Sequence, residues 1–217
     1  QTVVATSQVP LYVNDPVAVT AEGTPVRIVR NAETNLGDLC ADAYRALSNA
    51  DIAFVNGGGI RKQIEAGDIT LDDIYSVHPF GNTMCVIRVT GQQVLDALEW
   101  GARAVPSENG GFLQVSGLTY EIHTGVASSA EKDENGMFTR VSGEYRVKNV
   151  MVGGQPLELD KTYTLASHNY MLLGHGDGYT MFDGCEVLGE DMMVDNQVLI
   201  TYITTTLGGV VGEQYAN

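Results

Sequence analysis

The sequence predicts an α+β (α/β) fold: one domain over residues 1–217, with a mixed β-sheet flanked by helices. Three observations predict it. Short apolar runs alternate with capped helical stretches through the first half of the chain. From Gly110 onward the texture changes to strands separated by turn residues. No repeat, low-complexity tract or long linker divides the chain.

Taken in order, residues 1–33 read as extended, with Val3-Val4-Ala5 and Val26-Arg27-Ile28-Val29 β-like and the Glu22-Gly23-Thr24-Pro25 turn before the second run. Thr34 or Asn35 then caps a helix whose apolar positions Leu36, Leu39, Cys40, Ala43 and Leu47 fall at helical spacing. Asp38 lies in its first turn, where a carboxylate complements the helix dipole. The run Ile52-Ala53-Phe54-Val55 reads as a buried strand. It breaks into Asn56-Gly57-Gly58-Gly59-Ile60-Arg61, where three glycines permit positive φ and expose backbone N–H groups.

Thr70 to Asp73 resembles a capping box and opens a short helix through Tyr75. Past the Pro79-Phe80-Gly81-Asn82 turn, Cys85 to Val89 is a strand, and Thr90 to Gln93 is a second capping box. The helix that follows carries Val94, Ala97, Leu98 and Gly101 on one face, with Trp100, the only tryptophan, assigned to packing. Strands are expected at 112–115, 118–122 and 145–152, with an exposed acidic hairpin or loop over 127–137 and a hairpin at Gly153-Gly154. Tyr163 to Ala166 reads as the final strand. A second glycine-rich loop runs to Gly176-Asp177-Gly178-Tyr179, and a last helix spans roughly 195–207 with Val198, Leu199, Tyr202 and Ile203 inward and Gly208 past its end.

A net charge of −15 argues against a nucleic-acid backbone as partner, because such binding needs clustered Lys and Arg. A small phosphate ligand is compatible, since one or two arginines suffice locally. No apolar run approaches the ~18 residues of a membrane span, so none is expected in this chain. The chain opens at Gln1 in what reads as mid-protein sequence, so a processed or excised origin is expected. Cys40, Cys85 and Cys185 lack CxxC spacing and are read as small hydrophobes.

The ligand-binding candidates lie in the glycine loops and beside them. Arg61 and Arg30 suit a phosphate or a diol, Asn56 and Asn82 offer amides that both donate and accept, Asp177 is a carboxylate in a tight turn, and Phe80 and Tyr170 are flanking aromatics. Together they describe a nucleotide or nucleoside pocket, with a base between π faces and Asp177 on the ribose hydroxyls. Each residue also fits a structural role: Asp177 as a turn residue, Phe80 as core, Arg30 in a surface ion pair on a strand. There is no Gly-x-Ser-x-Gly elbow, HExxH or Walker A spacing, and His175 near Asp177 is at most two ligands of a metal site. No cofactor is expected in this chain.

Five ordered motifs carry a resemblance: Glu33-Thr34-Asn35-Leu36-Gly37-Asp38-Leu39, Asn56 to Arg61, Pro79 to Asn82, Gly111 to Gly117, and Gly176 to Tyr179. They resemble the carboxy-terminal domain of the 5′-nucleotidases, a family that includes UDP-sugar hydrolases and 2′,3′-cyclic-nucleotide phosphodiesterases. The resemblance implies a substrate-binding domain whose catalytic partner is a separate amino-terminal metallophosphoesterase domain holding divalent metal ions. It implies an extracellular or cell-surface protein, periplasmic in a Gram-negative organism. It carries substrate contacts onto Asn56, Gly59, Arg61, Phe80, Asn82 and Asp177.

Two departures stand out. The family's arginine before the Glu33 position is Ala32 here, with Arg30 as the candidate replacement. The second loop reads one residue longer before Asp177, which leaves Tyr170, Met171 and Tyr179 as candidates for the second aromatic position; Tyr170 is favoured because a flat ring stacks best. The alternative is a stand-alone surface carbohydrate-binding module, since aromatics with Asn and Asp also suit sugars.

Overall fold

The computed structural model describes residues 1–216. The strands in chain order are β1 (Val3–Ser7), β2 (Ile52–Asn56), β3 (Gly67–Thr70), β4 (Met84–Thr90), β5 (Leu113–Ser116), β6 (Leu118–Ile122), β7 (Ala130–Lys132), β8 (Phe138–Val141), β9 (Val147–Val152), β10 (Gln155–Pro156), β11 (Thr162–His168), β12 (Glu186–Gly189) and β13 (Val210–Val211). The helices are α1 (Asn35–Ser48), α2 (Leu71–Val77), α3 (Gly91–Gly101), α4 (Asn169–Leu172) and α5 (Asp195–Thr201).

The central sheet has the order β12-β4-β11-β2-β5, and it is mixed: β2 and β11 are parallel, the other neighbours antiparallel. Alternation along each strand sends side chains to opposite faces. Ala53, Val55, Met84, Val86 and Ala166 face one core, with α1, α2 and α5. Ile52, Phe54, Cys85, Ile87, Val89 and Leu165 face the other, with α3 and the outer strands β6, β8 and β9. This explains why β2 is buried along its whole length and reads as a continuous apolar run.

The capping signals are realised. Thr34 accepts from the Gly37 N–H, and both Thr70 with Asp73 and Thr90 with Gln93 form reciprocal capping boxes. The acidic segment folds as the β7–β8 hairpin, and Gly153 and Gly154, both at positive φ, turn β9 into β10. Asp38 lies in the first turn of α1 as expected. Burial, followed by the neighbouring Glu33, pushes its carboxyl up to about 8, which opposes the ionised form that the dipole favours.

Four expectations change. Val26–Val29 is not a strand: Val26 makes isolated backbone hydrogen bonds to Asp15 and Ala18, and Ile28–Arg30 form a 3₁₀ turn with Val29 sealed in the core. Tyr163–Ala166 is not the last strand, since the short, half-exposed β12 and β13 follow it. The final helix ends at Thr201 and continues as a π turn over Tyr202–Thr206, where Thr204 Oγ1 donates to the Ile200 carbonyl 2.7 Å away and competes with the helical ladder. Cys40 and Cys85 are buried as expected, whereas Cys185 is only half-buried.

Candidate functional site

The sheet topology assembles the site. Because β2 and β11 are parallel, their carboxyl ends, Asn56 and His168, emerge at one edge of the sheet. The antiparallel neighbours start there: Leu113 pairs with Asn56 and Met84 with His168. The loops before β4 and β5 and after β2 and β11 therefore converge. They enclose a cavity of about 420 Å³ lined by Arg30, Asn56, Gly58, Gly59, Arg61, Phe80, Asn82, Gly110, His168, Tyr170 and Asp177. All eight residues singled out in the sequence line it, including Arg61 and Asp177 from loops far apart in the chain.

The three glycines work by size. None of them has positive φ, contrary to the sequence expectation. A Cβ on Gly57 would lie 2.2 Å from the Val29 carbonyl oxygen, on Gly58 3.0 Å from that of Gly110, and on Gly59 2.7 Å from Asn56 Oδ1. The triplet lets three pieces of chain meet behind the cavity wall. Gly58 and Gly110 are joined there by a 2.8 Å backbone hydrogen bond.

Arg30 is held by its 3₁₀ turn rather than by a strand, and its carbonyl accepts from the Asn109 N–H. Burial first, then the guanidiniums of Arg27 and Arg61, push Arg30 below its usual pKa. Arg61 lies over the Phe80 ring at 5.7 Å and donates to the Gly58 carbonyl at 3.3 Å. Arg27 and Lys62 pair with Glu108 and Asp73, but among the described residues neither Arg30 nor Arg61 has a carboxylate within ion-pairing distance.

Phe80 is 59% exposed and so is not core. Its turn is clasped by buried Asp195, which accepts from the Asn82 N–H at 3.2 Å and donates its own N–H to the Asn82 carbonyl at 2.7 Å. Among the described residues no hydrogen bond engages the Asn82 side chain, which faces the cavity. Tyr170 is 42% exposed, whereas Met171 and Tyr179 are both 0% exposed. Tyr170 is therefore the candidate whose ring faces the cavity. Tyr179 packs beneath and donates its hydroxyl to the Gly111 carbonyl at 2.5 Å.

Asp177 sits in the left-handed region at φ 57°. Its Oδ2 accepts from Asn56 Nδ2 at 2.7 Å and its Oδ1 from the Tyr170 hydroxyl at 3.2 Å. Its carbonyl accepts from Trp100 Nε1 at 2.9 Å. Gly176 makes this possible, since a Cβ there would lie 2.4 Å from the Tyr170 ring. Asn56 Oδ1 is turned inward onto His168 Nε2 at 2.8 Å while Nδ2 donates to Asp177, so both ends of the expected donor-and-acceptor amide are engaged within the protein. His175 pairs with Asp183 and does not line the site. Among the described residues no three His, Cys, Asp or Glu side chains gather as a metal site. Among the described residues no helix is long and apolar enough to cross a membrane.

Three lining residues, Gly58, Gly110 and His168, were not singled out in the sequence, and neither was Trp100, which supports the site from outside the cavity. Trp100 read as ordinary packing on α3. His168 joins the site only through the parallel pairing of β11 with β2, which no local pattern announces. Burial holds the His168 imidazole down to about 4, and nearby His78 acts in the same direction. His78, also depressed by burial, holds the Gly59 carbonyl through Nδ1 at 2.9 Å.

Comparison with known proteins follows the same lines. The family model described as the 5′-nucleotidase C-terminal domain matches residues 3–184. The chain is 36% identical over 187 residues to the trifunctional nucleotide phosphoesterase protein YfkN of Bacillus subtilis, covering 84% of this chain and 12% of that protein. It is 34% identical over 176 residues to a 5′-nucleotidase of Vibrio cholerae, covering 81% of this chain and 28% of the relative. It superposes on a 5′-nucleotidase precursor from Thermus thermophilus with a TM-score of 0.78 and 32% identity, over 97% of this chain and 38% of that one. The chain thus spans well under half the length of these proteins, and it belongs to the 5′-nucleotidase C-terminal domain family.

Proposed function

We propose that this chain is the nucleotide- or nucleoside-binding specificity domain of a 5′-nucleotidase-type phosphohydrolase. One observation carries the reading. A single cavity combines two solvent-facing aromatic rings, a carboxylate fixed by two hydrogen bonds, and two arginines without a carboxylate partner among the described residues. Rings left exposed at a cavity are surface that an aromatic base covers with gain, ~1–3 kcal/mol per stacked base. Asp177 keeps lone pairs for the ribose hydroxyls, and Arg30 and Arg61 supply charge for a phosphate.

Hydrolysis of the phosphate ester belongs to an amino-terminal metallophosphoesterase domain with divalent metal ions, outside this chain, in an extracellular or cell-surface protein. The task of the cavity is to orient the nucleotide. The names of the relatives, a nucleotide phosphoesterase and a 5′-nucleotidase, support this reading. A neutral carbohydrate would leave both arginines uncompensated, which favours the nucleotide over the sugar-binding alternative.

The test is calorimetric titration of the purified chain with AMP, adenosine and glucose, beside a phosphate-release assay on AMP with added Mn²⁺. AMP and adenosine are expected to bind, glucose not to bind, and phosphate release to stay at the buffer level. Glucose binding without adenosine binding would overturn the ligand class, and phosphate release above buffer would overturn the division of labour.

A further inference from the structure

We infer that His168 is a positioning residue of this pocket: it fixes the orientation of the Asn56 amide and, through it, the Asp177 carboxylate. The importance of this for a ligand rests on the nucleoside reading above; the positioning itself does not.

The hydrogen bonds form one directed chain. His168 caps α4, its Nδ1 accepting the Met171 N–H at 3.4 Å. An accepting Nδ1 carries no proton, so in the neutral ring the proton sits on Nε2. Nε2 faces Asn56 Oδ1 at 2.8 Å and donates to it. That contact assigns the oxygen end of the amide, and the nitrogen end then donates to Asp177 Oδ2 at 2.7 Å. Each member donates toward the carboxylate, the arrangement in which successive hydrogen bonds polarise one another in the same sense.

Two independent features fit this role. Gly59 leaves the space that Asn56 Oδ1 occupies, since a Cβ there would lie 2.7 Å from that oxygen and 3.8 Å from His168 Nε2. The ring itself packs against two others, edge-on with Tyr44 of α1 at 6.5 Å and tilted against Tyr170 of α4 at 5.9 Å. The titratable groups around it are Tyr44, His78 and Tyr170, with Asp177 beyond Asn56 and Asp195 beside His78. A second proton on Nδ1 would oppose the Met171 N–H and break the chain at its start.

The experiment pairs spectroscopy with two variants. Long-range ¹H–¹⁵N correlation on the wild-type chain, with His168 assigned by its absence in a variant, is expected to show the Nε2–H tautomer at pH 7. An Nδ1–H tautomer or a charged ring at that pH overturns the inference. His168→Leu fills similar space without a donor, whereas His168→Gln restores a donor near the Nε2 position. The Asn56 side-chain amide resonances should shift in the first variant and return toward wild type in the second, with both folded by circular dichroism. Equal perturbation in both folded variants, or none in either, would mean a role in packing alone. If either variant fails to fold, the wild-type tautomer decides the matter. Adenosine affinity should fall about tenfold in His168→Leu and recover in His168→Gln. Failure of the wild type to bind adenosine would instead overturn the proposed ligand, leaving the tautomer and amide resonances to judge His168.

Discussion

Replacing Trp100 with Phe tests how the site is held from below. Trp100 is fully buried, and its Nε1–H is the donor to the Asp177 carbonyl at 2.9 Å. Phe retains an aromatic ring but removes that donor, leaving a part-buried carbonyl without this partner at a cost of ~1–3 kcal/mol. The Arg103 guanidinium lies 3.6 Å from the Trp100 ring centroid, a contact that weakens by roughly 0.5–1 kcal/mol over the smaller ring. Together these predict destabilisation of about 2–4 kcal/mol, a fall in melting temperature of roughly 5–15 °C for a domain of this size. Asp177 is at φ 57°, a conformation a non-glycine residue keeps only while its surroundings hold it. Released from Trp100, the loop is expected to relax and adenosine affinity to drop about tenfold. Thermal unfolding and calorimetric titration read the two effects separately. A variant that melts within about 2 °C of wild type refutes the energetic argument. One that melts early yet binds adenosine as wild type does refutes the claim that Trp100 positions Asp177.

Three further outcomes are expected. Gly59→Ala places a methyl against Asn56 Oδ1 without backbone strain, so it should weaken adenosine binding about tenfold while shifting stability by only about 1 kcal/mol; unchanged affinity would show that Asn56 can move freely. Tyr170→Ala should weaken adenosine binding by ~1–3 kcal/mol by calorimetry, whereas an unaltered affinity would remove Tyr170 from the base-stacking role. The pH dependence combines opposing signs. His168 is depressed to about 4, so the unfolded chain takes its proton first and stability falls as pH drops from about 6.5 to 4, by on the order of 3 kcal/mol for this group. Asp38 is raised to about 8, so the folded chain keeps a proton the unfolded chain releases, and its contribution falls as pH rises from about 4 to 8. Urea unfolding should therefore show wild-type stability declining from pH 6.5 to 8, a decline that Asp38→Asn reduces; equal slopes in the two chains would contradict the Asp38 assignment.

What was legible in the sequence was whatever local physics dictates. Thr34, Thr70 and Thr90 announce helix starts because each side chain must satisfy a specific backbone N–H a few residues on. The run at 52–55 announces a buried strand because both of its faces are covered. Val26–Val29 misled because β-branched residues favour a pleated surface only in context, and here the chain turns into a 3₁₀ helix after isolated bonds to residues 13–18. β12 and β13 were invisible because edge strands this short and this exposed carry no alternation.

The site divides along the same line. Arg61, Phe80 and Asp177 stand in turns with recognisable chemistry, and the expectation that their loops meet agrees with the cavity. The supporting residues could not be found that way. Trp100 acts through a backbone carbonyl 77 positions away, and His168 through a side chain 112 positions away. Neither distance leaves a trace in local spacing. The glycine triplet shows the consequence most directly. Its residue types suggested conformational freedom, yet the glycines serve closeness: the Val29 carbonyl leaves no room for a Cβ on Gly57, Gly110 lies tight against Gly58, and the inward-turned Asn56 amide fills the space beside Gly59. A glycine required for φ can be recognised from its turn. A glycine required for proximity is explained only by what lies against it, and here that is the buried support of the ligand-facing groups.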